Sequence, residues 1–212
     1  GGLTVSAGAA QFGARTLLVE KENELGGDCL HFGCVPSKTL IKTARVVKQM
    51  RQASRYGLTD IEVMVPFKQV MQRVLDVIRR IAPHDSVERY TRLGVEVLQG
   101  HGRLIDPWTV EITNDEGEVR RLSGRSIILA TGATPIIPAL PGLKEVGYVT
   151  SDTLWQVLSD RESPPKQLII LGGGSIGCEL AQSLSRLGTG VTQVEMASRL
   201  LWREDSDVST LV

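Results

Sequence analysis

The chain has 212 residues, enough for one large domain or two small ones with a sizeable core. Lysine plus arginine total 24 and aspartate plus glutamate total 24, which excludes a net field drawing the protein to nucleic acid or an anionic membrane. No apolar run reaches the length of a membrane span, and the opening "GGLTVSAGAAQFGARTLLVE" has neither the basic head nor the cleavage site of a signal peptide. Three cysteines do not make a secreted disulfide scaffold, so a reducing, cytoplasmic compartment is expected.

In chain order, Gly1 to Gly13 reads as a helix and Thr16 to Glu20, "TLLVE", as a buried strand ending in an acid. That is the second half of a nucleotide-binding βαβ unit. Its first strand and first two glycines are expected to precede residue 1, with Gly2 as the third glycine. Pro36 to Arg55 reads as a helix with Leu40, Ile41, Ala44, Val47 and Met50 on one side; its six basic residues are expected on a solvated face. Phe67 to Ile81 is a second helix stopped by Pro83. Asp85 is expected to cap a third, with Glu88 in capping-box spacing.

From Val95 to Leu122 the pattern becomes short runs, "VEVLQG", "GRLID", "TVEIT" and "EVRRL", with a turn at "NDEG". They predict a small antiparallel meander. "SIILATG", Ser126 to Gly132, is expected to be a buried strand ending in a glycine turn. "RESPPKQ" is a linker, and the chain then runs strand, glycine turn, helix, strand before stopping at Val212. Both ends are expected to be cut from a longer protein. Trp108, Trp155 and Trp202 are expected to pack in core or surface, Cys178 to fill space, and His101 to lie in a loop or near an adenine.

In that last segment Gly172, Gly174 and Gly177 fit G-x-G-x-x-G between a strand and a helix. Such glycines let backbone N–H groups approach a pyrophosphate at the helix N-terminus. The next strand ends at Glu195, 23 residues after Gly172, where a ribose-binding acid belongs.

"GGDCLHFGCVPSK" holds Cys29 and Cys34. Five residues on a regular helix span about 7.5 Å, beyond the roughly 7 Å ceiling between bridged Cα atoms. A disulfide therefore needs a distorted turn, for which Gly33 offers freedom, and should be easily reduced. Zinc is the rival, but no second ligand pair exists and His31, His84 and His101 are scattered. An inert thiol pair is the third reading, and the flanking glycines argue against it.

The box GG-x-C-x4-C-V-P-x-K resembles that of the flavoprotein disulfide reductases, the pyridine-nucleotide family of dihydrolipoamide dehydrogenase, glutathione reductase and mercuric reductase. "ATGATP" is similar to the family's second flavin-contacting turn, and "GGGSIGCE" to its nicotinamide-nucleotide turn. "IAPHDSVERY" is similar to the mercuric-reductase-like branch. The resemblance implies an α/β fold with two Rossmann-like domains. Residues 1–160 would be an FAD domain with inserted helices and the meander; residues 161–212 would begin an NAD(P) domain.

The resemblance also implies roles. Gly2 and Glu20 would hold the FAD adenosine half, with Gly26, Gly27, Lys38, Thr131 and Gly132 also on the flavin nucleotide. Gly172, Gly174, Gly177 and Glu195 would receive NAD, with NADP less favoured. Cys34 would lie against the flavin, Cys29 would exchange with substrate, and Lys38 would stabilise the reduced ring. Substrate would be a small disulfide, dithiol or metal ion, without nucleic acid, membrane or bound metal. The whole protein would be a homodimer through a C-terminal domain beyond this chain, and the fragment alone would be inactive. Asp28 and His31 depart from the threonine and asparagine frequent there. Asp28 should disfavour a Cys29 thiolate and a protonated His31 favour it. Two other functions remain: a same-fold flavoenzyme reducing a quinone, metal ion or other non-thiol acceptor, and a non-catalytic dinucleotide-binding redox module.

Overall fold

The computed structural model describes residues 1–212. The first half of the chain runs α1 (Gly2–Gln11), β1 (Thr16–Glu20), α2 (Gly27–His31), α3 (Cys34–Arg51), α4 (Phe67–Ile81), α5 (Val87–Arg92), β2 (Val95–Gln99) and β3 (His101–Asp106). The second runs β4 (Thr109–Thr113), β5 (Val119–Ser123), α6 (Leu143–Val146), α7 (Leu154–Ser159), β6 (Gln167–Leu171), α8 (Ser175–Arg186), β7 (Gly190–Val194) and α9 (Ser206–Thr210). No helix is long and apolar enough to cross a membrane. The fold is α/β, and the chain forms two compact units, residues 1–31 with 79–136 and residues 32–78 with 137–212.

In the first unit β1 and β2 pair in parallel, Thr16 opposite Val95 through Glu20 opposite Gln99. Leu25, Tyr90 and Val95 are buried, and Leu3, Ala7 and Leu18 pack against them. β3, β4 and β5 form an antiparallel meander in which Arg103, Glu111 and Arg121 stand in register across the three strands. "VEVLQG" thus belongs to the parallel pair, not to the meander as expected. Its inward Val95 is 1% exposed, and a short apolar strand does not announce the direction of its partner.

"SIILATG" is a second correction. Residues 127–133 form no strand, and Ile128 and Leu129 are 62% and 68% exposed. A β-branched run makes a strand only where a neighbour supplies the ladder, and β1 pairs with β2 alone. Nor does Asp85 cap α5. Pro83 sets a 3₁₀ turn over Ala82–Asp85, leaving Ser86 extended, and its Oγ accepts the Arg89 N–H at 3.3 Å. Glu88 stays in the first turn. Its own backbone N–H, then the Ser86 hydroxyl, hold its carboxyl below the usual range.

In the second unit β6 and β7 pair in parallel around α8, a complete βαβ unit. α4 has the expected bounds, and Phe67, Val70, Met71 and Val74 bury one stripe at helical spacing. They form a core with Leu40, Ala44 and Val47 of α3, Leu154, Trp155 and Leu158 of α7, and Leu184 of α8. Each valine, leucine, phenylalanine or methionine among them contributes about 1.5–3 kcal/mol on burial. α3 starts at Cys34, two residues before the expected Pro36, because proline is tolerated in a first turn whose N–H groups have no helical partner. It ends at Arg51 rather than Arg55. A 3₁₀ turn over Ala53–Tyr56 follows, closed by Gly57 at φ 75°.

Candidate functional site

The first unit gathers one set of the expected residues. Gly2 opens α1, and a Cβ there would lie 3.3 Å from the Ala130 Cβ and 3.6 Å from Leu18. The helix start, the strand and the "ATG" segment therefore meet at Gly2, where a side chain would press on Ala130. No side chain caps α1. Glu20 ends β1, and its Oε1 accepts the Glu22 N–H at 3.1 Å.

Gly26 and Gly27 follow with φ of 122° and 57°. A Cβ on Gly26 would collide with the Leu30 side chain, so only glycine both adopts this conformation and lets Leu30 seal the helix. α2 then carries Asp28 and the exposed Cys29. The Asp28 carboxylate accepts the Ala133 N–H at 3.2 Å. A Cβ on Gly132, at φ 71°, would lie 3.1 Å from the same oxygen. Asp28 is thus an anchor for the Thr131–Gly132 turn. The sequence marked Asp28 as unusual, but its partner is a backbone N–H, which carries no residue signal. His31 donates from Nε2 to the Leu25 carbonyl at 3.0 Å, since a carbonyl can only accept.

In the second unit Cys34 is exposed in the first turn of the 18-residue α3, where unpaired N–H groups favour an anion. One turn on, Lys38 Nζ donates to both oxygens of Glu179 on α8 at 2.8 and 2.7 Å. Glu179 is a site residue the sequence did not reveal. It lies 141 positions from Lys38, and its only local signal is an acid two residues past the last glycine of the motif.

That motif is closely built. A Cβ on Gly177 would strike the Gly172 carbonyl oxygen, which also accepts the Gln193 Nε2–H at 2.9 Å. Gly174 precedes α8 with open space before it and no side-chain cap. Glu195 follows β7 and accepts from Gly173 N–H at 2.5 Å and Ala197 N–H at 2.8 Å. The Ala197 N–H first, then that of Gly173, hold its carboxyl below the usual range. Cys178 donates from sulfur to the Gly173 carbonyl at 3.5 Å. Arg199 Nη2 donates to the carbonyls of Trp202 and Glu204, while its Nη1 is buried without a partner.

Both units thus join a parallel strand pair, a helix start with no side-chain cap and a crowded glycine in its first turn, and a strand-end acid. This arrangement suits a dinucleotide pyrophosphate and ribose. Residues 1–212 match the family described as "Pyridine nucleotide-disulphide oxidoreductase". The chain is 37% identical over 220 residues to a dihydrolipoyl dehydrogenase of Bacillus subtilis (strain 168), covering 99% of this chain and 44% of that protein. It is 28% identical over 204 residues to a mercuric reductase of Lysinibacillus sphaericus, covering 96% of this chain and 36% of the other. A solved Cu(II) complex of an HOCl-induced flavoprotein disulfide reductase from Escherichia coli matches with a TM-score of 0.77 and 27% identity, over 99% of this chain and 43% of that one. The chain therefore spans less than half the length of these relatives.

Proposed function

The chain belongs to the pyridine nucleotide-disulphide oxidoreductase family, and on that premise we propose that it forms the nucleotide-binding and redox part of an FAD-dependent enzyme. The enzyme passes two electrons between a nicotinamide nucleotide and a Cys29–Cys34 disulfide. The observation that carries this reading is the Lys38–Glu179 pair, because it ties the cysteine box to the helix that follows the glycine motif.

In the reducing direction NAD(P)H, a proton and a disulfide give NAD(P)⁺ and two thiols; a dihydrolipoyl dehydrogenase runs this backwards. Bound FAD would supply two-electron carriage between nicotinamide and sulfur. Gly2 and the uncapped start of α1 would admit its pyrophosphate, Glu20 would accept from ribose hydroxyls, and Thr131 and Gly132, steadied by Asp28, would line its remainder with Gly26 and Gly27. Gly172, Gly174, Gly177 and Glu195 would hold the nicotinamide nucleotide likewise. Cys34 would present its sulfur to the flavin, and Cys29 would exchange with a small dithiol or disulfide. Lys38 would place a cation at the reduced ring, with Glu179 fixing its position. The whole protein would work in the cytoplasm as a homodimer.

The test is the visible spectrum of the full-length protein. Two-electron reduction should give a flavin spectrum with a long-wavelength shoulder. Cys34→Ser should abolish that shoulder and keep the flavin, whereas Cys29→Ser should show it without reduction. Mutants behaving the other way round would reverse the two roles, and a protein without flavin would end the reading. Steady turnover of mercuric ion with both cysteines replaced would favour a non-thiol acceptor.

A further inference from the structure

The helix that follows Phe32 cannot pair its carbonyl. A helix running through Phe32 would pair this carbonyl with the N–H four residues on. That residue is Pro36, which has no N–H and whose ring collides with the carbonyl it would face. The helix accordingly begins at Cys34, after a Gly33 whose φ of −108° and ψ of −106° are not helical. Its first hydrogen bond goes to the Gly33 carbonyl, from the Ser37 N–H at 3.0 Å.

The Phe32 carbonyl accepts a hydrogen bond from 123 residues away in sequence. Trp155 Nε1–H donates to it at 2.8 Å. Trp155 is 4% exposed and belongs to the core cluster that includes Leu40, Phe67 and Leu184. A buried indole N–H needs an acceptor as much as the carbonyl needs a donor, so each holds the other in place. Packing in core or surface, which is all the sequence leads one to expect of Trp155, is met equally by an aromatic ring without an N–H.

We propose that Trp155 is a positioning residue for the redox turn. It clamps the Phe32 carbonyl, fixes the Gly33 joint from which Cys34 departs, and so sets the equilibrium between the Cys29–Cys34 bridge and its two thiols, a role that rests on the pairing proposed above. A bridge is stable in proportion to the effective concentration of one thiol at the other. With the clamp gone, a joint built on glycine spreads over many conformers, that concentration falls, and the bridge is reduced more readily.

The experiment is thiol–disulfide exchange of the full-length, flavin-loaded protein with dithiothreitol. The bridge accepts two electrons and two protons to become two thiols, and dithiothreitol gives them up to become its cyclic disulfide. Alkylation of Cys29 and Cys34 across a series of reduced-to-oxidised dithiothreitol ratios reads the equilibrium constant. Two variants are compared with the unmodified protein. Trp155→Phe keeps an aromatic ring, and 3-benzothienylalanine at position 155 keeps the whole indole shape with sulfur in place of N–H.

Both should shift the equilibrium toward the thiols by about tenfold, equivalent to about 30 mV for a two-electron couple. Where Trp155→Phe fails to accumulate, the benzothienylalanine protein decides. A constant within about twofold of the unmodified protein, or a shift toward the bridge, overturns the role of Trp155. A change in melting temperature without that shift marks Trp155 as a core residue only. If the unmodified protein forms a bridge that the variants leave alone, only the clamp fails. If it forms no bridge, the redox pairing falls and the clamp with it.

Discussion

Lys38 places its ammonium 2.8 and 2.7 Å from the two carboxylate oxygens of Glu179, joining the helix that begins at Cys34 to the helix that follows the glycine motif. Their side chains are 60% and 38% exposed, so the pair holds little of the fold. An ion pair this wet contributes about 0–1 kcal/mol. The pair fixes one cation at a defined place in α3, one turn on from Cys34.

Glu179→Gln should therefore leave the melting temperature of the full-length protein nearly unchanged and lower turnover with the nicotinamide nucleotide by about tenfold, or about 1.4 kcal/mol in the barrier. Lys38→Met should cost at least as much. Thermal unfolding and steady-state kinetics on the same preparations check this; losses of stability and activity in step would make the pair structural.

Asp28→Ala should loosen the Thr131–Gly132 turn, because the Ala133 N–H loses its carboxylate acceptor. The side chain is exposed, so the cost should be about 1 kcal/mol, near the ordinary net value of a hydrogen bond. Read as flavin affinity by equilibrium dialysis, that is roughly a fivefold rise in Kd. Asp28→Asn, which keeps an acceptor oxygen, should retain most of the affinity. Equal losses in the two variants would mean that charge, not the turn contact, is what matters.

The carboxyl of Glu195 is held below its ordinary value of 4.5 by the backbone N–H groups of Ala197 and Gly173. A depressed carboxyl favours the folded turn while it is ionised, so this contribution is fully present above pH 4.5 and is lost as pH falls through the lower folded value. Amide protection at Gly173 and Ala197 should accordingly weaken on acidification below that range. Glu195→Gln should flatten the dependence, and an unchanged acid profile in the variant would assign it elsewhere.

The same residue bears on the choice of nucleotide. A strand-end carboxylate accepts from both ribose hydroxyls and repels a 2′-phosphate. Met196, Ala197 and Ser198 bring no cation, and Arg199 donates to the carbonyls of Trp202 and Glu204. The full-length enzyme should favour NADH over NADPH by roughly tenfold, or about 1.4 kcal/mol. Glu195→Ala should narrow the gap. Equal or better kcat/KM with NADPH in the unmutated enzyme rejects this preference.

Local pattern was enough wherever the deciding contact is local. The α4 stripe from Phe67 to Val74, the strand Thr16–Glu20 and the β6–α8–β7 unit stand where periodicity and glycine spacing place them. What pattern could not carry was partnership. Val95 to Gln99 is apolar enough for either kind of sheet, and its parallel pairing with β1 joins residues 79 apart. Ser126 to Gly132 has strand composition without a ladder. At the site, the cysteines, Lys38 and the glycines are residue types with one dominant chemistry. Glu179, Asp28 and Trp155 meet a lysine, a backbone N–H and a carbonyl that only the folded chain brings near.

The interleaving of the two compact units has a consequence on the ribosome. Residues 1–31 and 79–136 form one unit, so its last segment is synthesised before residues 137–212, which belong to the other. α3 and α4, with Leu40, Phe67 and Met71 facing a core, must wait for Leu184 of α8. At about 5–20 residues per second, the hundred or so intervening residues take roughly 5–20 seconds to synthesise. Through that interval the apolar faces of α3 and α4 lack the cover that α8 gives them, beside a nascent cysteine box.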